Sequence, residues 1–395
     1  MTLVSRRDCL LGALGLAAAG CVGTEADSVP APPHSDASTS TPKDDAFPSP
    51  TNPSSRPTEP SFARVVEVAH AGAIVDRKIQ EGPVRAMLSS GMMALTGAAS
   101  VGGAFSSFFS PNDVVGIKVN PTGYPAVFSQ IATVRAIVDG LLAAGVAPSR
   151  IVVFDRYRDS FEAVGYPAYL PQGVRFAWSG PGYMNDQTGI DGYDTAHFVD
   201  IPRVYPGDDV SDPHKRRSYL CNIVAKDVTK VINVPNLKDH TSAGLTMALK
   251  NMTYGLVNNV SRTHVDQETW TRDFIPVVAS MPALRQKVVL HIADALVACY
   301  DGGPSPDHPN FSVFEYGALF FATDPVAMDR IGLSILDAER TRRGLPRVAD
   351  CGLKLENRGH EAFNARQPDH IEACAAAGLG IADMKRIQHE RVIVG

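Results

Sequence analysis

"DVVGIKVNPTGYPAVFSQIATVRAIVDGLLAAGVAPSRIVVFDR", residues 113–156, decides the fold class. Its first eight residues are a β-branched run of the kind found in buried strands, with a lysine near the end. "IATVRAIVDGLLAAG" (131–145) follows with apolar residues at helical spacing, and "RIVVFDR" (150–156) is a second buried-type strand. Strand, helix and strand in so short a span form a βαβ unit, hence parallel strands and a right-handed crossover. Further strands are read at 229–236, 286–294 and 316–322, with helices at about 242–253 and 325–340. The tail "CAAAGLGIADMKRI" (374–387) reads as a helix, a glycine-rich turn and a second short helix. The predicted class is α/β, a mostly parallel sheet with flanking helices. Residues 157–225, rich in Gly, Pro, Tyr and Asp and weakly periodic, are expected to form an inserted smaller irregular or antiparallel subdomain.

The N-terminal residues have a different character. "MTLVSRRDCLLGALGLAAAGC" (1–21) places Arg6 and Arg7 before an apolar run too short to span a bilayer as a helix. It reads as a twin-arginine signal, the route that exports proteins already folded. Ala18-Ala19-Gly20-Cys21 reads as a relaxed lipobox, so either Cys21 is lipidated or the leader is simply cleaved. Residues 24–60 hold 9 prolines and 12 serines or threonines in 37 positions. Such a stretch buries too little surface to offset its ordering entropy, so 22–62 is expected to be a disordered tether. The expected partition is a leader over 1–21, the tether, and an α/β domain over 63–395. Export would place the domain in the periplasm or on a membrane through Cys21.

A formal charge of -5 argues against a nucleic-acid partner. Beyond Cys9 and Cys21 the cysteines are Cys221, Cys299, Cys351 and Cys374, with no C-x-x-C pair among them, so no iron–sulfur cluster is expected. An oxidising compartment permits one or two disulfides, and buried free thiols fit equally well. No G-x-S-x-G, H-E-x-x-H, P-loop or G-x-G-x-x-G pattern is present.

In an open parallel sheet, ligands bind beyond the carboxyl ends of the strands. Ionisable residues gather at those predicted ends: Lys118 and Asn120, Asp155 and Arg156, Lys238 to Thr241, Asp294, and Asp324. Thr241 or Ser242 suits an N-cap for the helix read from 242, and a His240 just before that helix would be held neutral by the dipole. Asp324-Pro325 has the form of an N-cap followed by proline at the first helical position.

Five stretches, "VVGIKVN", "NVPNLKDHTSAGLTMALKNMTYG", "IADALVACYDGGP", "ALFFATDPVAMDRIG" and "AAAGLGIADM", resemble the DUF362 family of bacterial and archaeal domains in order and spacing, over about residues 65–390. The resemblance implies that Lys118, Lys238, His240, Lys250, Asn251, Asp294, Gly303, Pro304, Asp324 and Asp329 are characteristic positions. "SRTHVDQ" (261–267) is similar to a further family segment and adds His264. Some members carry a four-iron ferredoxin module, whose cysteines this chain lacks. A looser resemblance of fold links it to the nickel-pincer lactate racemases.

The functional expectation is an enzyme, an oxidoreductase or an isomerase or lyase, that binds a small anionic organic molecule. His240, Lys250 and Asp294 are the candidate catalytic residues, with Asp294 orienting His240. Lys118, Asn120, Arg156, Lys238, Asn251, Gly303 and Asp324 are the candidate substrate-binding residues. Two alternatives stand beside it. One is a transition-metal site on His240 and His264 with a carboxylate such as Asp294 or Asp324. The other is a non-catalytic surface lipoprotein that binds a ligand or partner; the 7% aromatic content weighs against it.

Overall fold

The strand order of the main sheet doubles back at one place, and that place fixes where polar side chains collect. The structure, a computed structural model, describes residues 61–183, 187–264, 270–351 and 366–395. The leader read over 1–21, and all but the last two residues of the tether, lie outside the described residues. The folded unit is Pro60–Gly395.

Its strands are β1 (Ala63–Ala69), β2 (Val115–Lys118), β3 (Ile151–Tyr157), β4 (Arg175–Gly180), β5 (Tyr193–Asp200), β6 (Arg217–Cys221), β7 (Lys230–Asn233), β8 (Asn236–His240), β9 (Gly244–Thr246), β10 (Val288–Asp301), β11 (Ser312–Ala322) and β12 (Ile387–Ile393), besides a two-residue ladder near residue 75. The principal helices are α1 (Glu81–Thr96), α2 (Val101–Ser106), α3 (Ile131–Ala143), α4 (Ala248–Thr253), α5 (Thr271–Ala279), α6 (Pro325–Arg342) and α7 (His370–Ala376). The main sheet runs β12-β1-β11-β10-β7-β2-β3-β4, and β8 pairs with β10 and β9. Pairing is parallel from β10 through β4 and between β12 and β1; β11 lies antiparallel to both its neighbours. The fold is thus α/β with a mostly parallel sheet, and β2-α3-β3 is the βαβ unit read from residues 113–156.

Alternation along the strands divides the core in two. Ile151, Val153, Leu319 and Phe321 face a layer built on Val84, Met87, Phe105, Val134 and Ile137 of α1, α2 and α3. Val152, Phe154, Ala318 and Phe320 face the opposite layer, with Leu249, Phe274, Val326 and Ile331 of α4, α5 and α6. Helices on both faces are what strands apolar on both sides require.

From β2 the chain adds β3 and β4 on one side, forms the separate antiparallel pair β5–β6, and returns as β7 on the other side of β2. The strand order reverses between β2 and β7. A doubly wound sheet opens a crevice beyond the carboxyl ends of such a pair.

Three expectations change. Residues 236–246 form a hairpin, β8–β9, in place of the first half of a helix, because Gly244 takes a left-handed φ of 75°. A side chain there would also meet Val348 and Pro368 at 2.8 and 3.0 Å. Thr241 and Ser242 therefore cap no helix, and His240 lies at the end of a strand. Second, β4 extends the parallel sheet, so the irregular region within 157–225 begins only after it. Third, the short tail helix is a single 3-10 turn, Met384–Arg386, leading into β12, whose alternating Ile-Gln-His-Glu-Arg-Val-Ile pattern suits an edge strand paired with β1. The described cysteines, Cys221, Cys299, Cys351 and Cys374, are free thiols.

α4 is buried along its whole length and has no capping side chain at Met247. Asp329 of α6 does that work, accepting from the Ala248 and Leu249 amides at 2.6 and 3.2 Å. Asp329→Ala should lower stability by about 3 kcal/mol, since it strands two buried donors. Urea unfolding should show a lower midpoint at an unchanged slope; an unmoved midpoint would mean that α4 is held some other way.

Candidate active site

At the switch point β2 delivers Lys118, fully buried beside Asp155 of β3. The Lys118 ammonium donates to Asp155 Oδ1 (2.6 Å), to the Val119 carbonyl (2.8 Å) and to Asn251 Oδ1 (3.2 Å). Asn251 is oriented in turn by Asn233 at the end of β7, its amide donating to Asn233 Oδ1 at 2.7 Å. Gly255 is required at this corner, for a β-carbon there would stand 2.6 Å from Lys118 Nζ.

Lys238, on β8, reaches the same crevice. It is fully buried, and its ammonium donates to Asn120 Oδ1 (2.9 Å) and to the Thr122 carbonyl, both on the segment after β2. Neither acceptor carries charge.

The hairpin loop fixes His240. The Ser242 and Ala243 amides both donate to His240 Nδ1, each at 3.1 Å, so the neutral ring carries its proton on Nε2. Ser242 Oγ lies 3.4 Å from that Nδ1 and 3.1 Å from His264 Nδ1. His264 Nε2 lies 3.4 Å from Lys250 Nζ. A continuous polar chain therefore runs from Lys250 through His264 and Ser242 to His240. The Lys250 ammonium also sits 3.7 Å above the centre of the Tyr254 ring, which stacks on His264 at 4.7 Å, and Tyr254 Oη pairs with Thr263 Oγ1 at 2.6 Å. Of Lys238, His240, Lys250 and His264, only His264 is more than marginally exposed.

The electrostatics follow from this burial. Desolvation, with Lys118 nearby, pulls Lys238 down to about 7. Desolvation and the neighbouring Lys238 and Arg156 charges bring Lys250 down to about 7 as well. Burial and then Lys250 hold His240 and His264 well below the usual imidazole value, so both are neutral. Among the described residues neither Lys238 nor Lys250 has a carboxylate within ion-pair distance. Nearby buried charges are balanced by contrast: Asp239 takes two bonds from Arg366 (2.8 and 3.1 Å), and Asp301 pairs with Arg340 at 3.0 Å.

The family model described as a domain of unknown function, DUF362, matches residues 115–334, more than half of the chain. The chain belongs to the DUF362 family. No curated protein matches the sequence. A solved structure of a Thermotoga maritima protein, a structural-genomics target, is similar at 9% identity with a TM-score of 0.36, over 68% of this chain and 60% of that one. The DUF362 match contains every residue of the lysine–histidine site described above.

Within this DUF362 chain the other expected residues have different positions. Arg156 borders the site but is spent on neutral acceptors, Tyr193 Oη (3.1 Å), the Tyr254 carbonyl (3.3 Å) and Gln187 Oε1 (3.0 Å). Asp294 does not touch His240: it accepts from the Gln130 amide, Thr133 Oγ1 and the Leu296 amide, anchoring the start of α3. Burial pushes it up to about 6. Gly303 serves backbone packing, since a β-carbon there would overlap the Asp239 carbonyl at 1.9 Å, and its own carbonyl accepts from the Thr241 amide. Asp324 caps α6 through the Val326 and Ala327 amides and also takes the Ile381 amide. With both carboxylates engaged in this way, the His240–His264 metal set loses its acid. Among the described residues no three His, Cys, Asp or Glu side chains are grouped to hold a metal.

Two contributors escaped the sequence reading. Tyr254 lies four residues after Lys250, a spacing that puts a ring beside a helical ammonium and could have been noticed. His370 of α7 is completely buried near Asp329 (4.0 Å), with no hydrogen bond to either ring nitrogen among the described residues, and nothing in the sequence pointed to it.

Lysines titrating near 7 in the fold and near 10.4 when unfolded give a definite sign. From about pH 7 to 8.5 the unfolded chain holds more protons, so stability rises with pH, by up to about 1.4 kcal/mol per pH unit for each lysine. Lys238→Met should flatten that rise, as read from thermal or urea unfolding across the window. Equal slopes for the parent and the variant would show that Lys238 keeps its proton in the fold across that window.

Proposed function

We propose that this DUF362 chain is an enzyme that binds a small organic anion, a carboxylate or phosphate, and moves protons on it. The observation that carries the reading is the pair of buried lysines that meet no acid among the described residues, set beside a lysine–imidazole–hydroxyl–imidazole chain. An anion supplies the missing countercharge. Lys238 and Lys250 hold it, Asn120 positions Lys238, and Arg156 adds positive potential at Lys250.

His240 is the proposed acid–base group. Its Nδ1 is fixed by two amides, which leaves Nε2–H as its one reacting edge. Lys250 is poised near 7, and its neighbour His264 can take up its proton at Nε2. Such a site suits proton abstraction beside a carbonyl or carboxylate, the chemistry of an isomerase or lyase, or a proton-coupled redox step. The enzyme is proposed to be exported by the twin-arginine route and tethered in the cell envelope, through lipid on Cys21 if the lipobox is used.

Two charge-assisted hydrogen bonds give a dissociation constant on the order of 0.1 mM. At about 10 mM, a fitting dicarboxylate should then raise the unfolding temperature by about 4 °C. In deuterium oxide, proton NMR of that ligand should show deuterium entering at the carbon beside the carboxylate. His240→Gln should slow this exchange by about 10²–10⁴-fold with ligand binding retained. Binding with no exchange would make the protein a receptor and overturn the catalytic reading.

A further inference from the structure

The two site lysines that meet no acid among the described residues are held in unlike ways. Lys238 is pinned by two fixed oxygen acceptors, Asn120 Oδ1 and the Thr122 carbonyl. Such acceptors bond only to the amine's protons and favour the ammonium. Lys250 has no oxygen acceptor among its described contacts: it meets the face of Tyr254 at 3.7 Å and the basic edge of His264 at 3.4 Å. Lys118, in the same crevice, is ion-paired with Asp155 at 2.6 Å. Of the three, only Lys250 has a neutral base as its partner.

With Lys250 donating to His264 Nε2, His264 Nδ1–H faces Ser242 Oγ at 3.1 Å, which holds the ring with its basic edge toward the amine. The His240 and His264 rings lie 5.3 Å apart, so His240 stands close to the Lys250–His264 pair.

We propose that Lys250 is a nucleophile that forms an imine with the carbonyl carbon of an oxo acid whose carboxylate is held by Lys238. The proposal rests on the anion-binding reading above and narrows the substrate class to 2-oxo or 3-oxo acids. The amine lone pair attacks the carbonyl carbon and forms the carbon–nitrogen bond. Protons released from the nitrogen are taken up by His264 Nε2 and handed to the carbonyl oxygen. Two of the three ammonium protons leave with that oxygen as water, and the positive charge stays on the imine nitrogen. No outside oxidant or reductant is needed. An amine buried beside a second cation is activated for this step, and Lys238 with Arg156 supplies that setting around Lys250. The iminium then draws electrons from the adjacent carbon, which is the group that proton exchange at that carbon requires.

The test is reductive trapping on the full-length protein. Pyruvate and 2-oxoglutarate are each added with borohydride, and the modified residue is located by peptide mass mapping. On the order of one adduct per chain, on Lys250, is expected. Lys250→Arg, checked for folding by circular dichroism, should lose the label, and Lys238→Met should reduce it at least about tenfold. Because the label is mapped in the parent protein, the result does not depend on the variants folding. Labelling spread over surface lysines, or unchanged in Lys250→Arg, would overturn the imine. Calorimetric binding of the same acids without trapping would overturn it while leaving the anion-binding reading intact; no binding of any carboxylate or phosphate would remove both.

Discussion

A buried ammonium without a carboxylate is costly, and among the described residues this fold holds two of them a few side chains apart. Removing a charge from water carries a penalty of several kcal/mol that is offset only by a well-placed countercharge. The same interior shows what balance looks like: Lys118 has Asp155, and Asp239 has Arg366. Lys238 and Lys250 receive carbonyls, an imidazole and an aromatic face instead. Evolution could have placed a methionine at either position at little cost to packing. The unbalanced charge is best understood as half of an interaction whose other half is the ligand.

Much of the surrounding structure serves to keep those ammonium groups where they are. α4 is only six residues long and buried on every side, so it depends on Asp329 at its start. Asn233 binds both the Asn251 side chain and the Ala248 carbonyl, which locks α4 to the end of β7. Backbone bonds from Arg366 and Gln367 to the Thr241 and Ser242 carbonyls hold the hairpin loop, and with it His240. Two acids expected to join the chemistry, Asp294 and Asp324, instead secure the starts of α3 and α6. Their position beyond strand ends is real, but carboxylates there are drawn to free helix amides as readily as to a ligand.

How far the sequence could be read followed the range of the interactions involved. The βαβ unit rests on local periodicity, and β2, α3 and β3 lie where it put them. Lys118, Lys238, His240 and Lys250 were found because strand ends can be recognised locally and because the resemblance singled them out. The hairpin at 236–246 was lost to its own composition: "SAGLTMALKN" has helical spacing, and only the packing of Gly244 against Val348 and Pro368 turns it into a strand pair. His370 and the acceptor roles of Asp294 and Asp324 depend on contacts across long stretches of chain, which no short window contains. The lowering of the His240 pKa was anticipated for the wrong cause; burial and lysine charges produce it, with no helix dipole behind the ring.

The account stands or falls on whether an anion restores full charge to the two lysines. Calorimetric titration of a dicarboxylate at about pH 7.5, repeated in buffers of different ionisation enthalpy, reads this directly, since lysines poised near 7 must take up protons when a countercharge arrives. The account predicts net uptake of up to about one proton per lysine engaged, shrinking as the pH is lowered below about 6 and reduced in Lys238→Met. Binding with no proton uptake, or uptake that survives loss of both lysines, would contradict it.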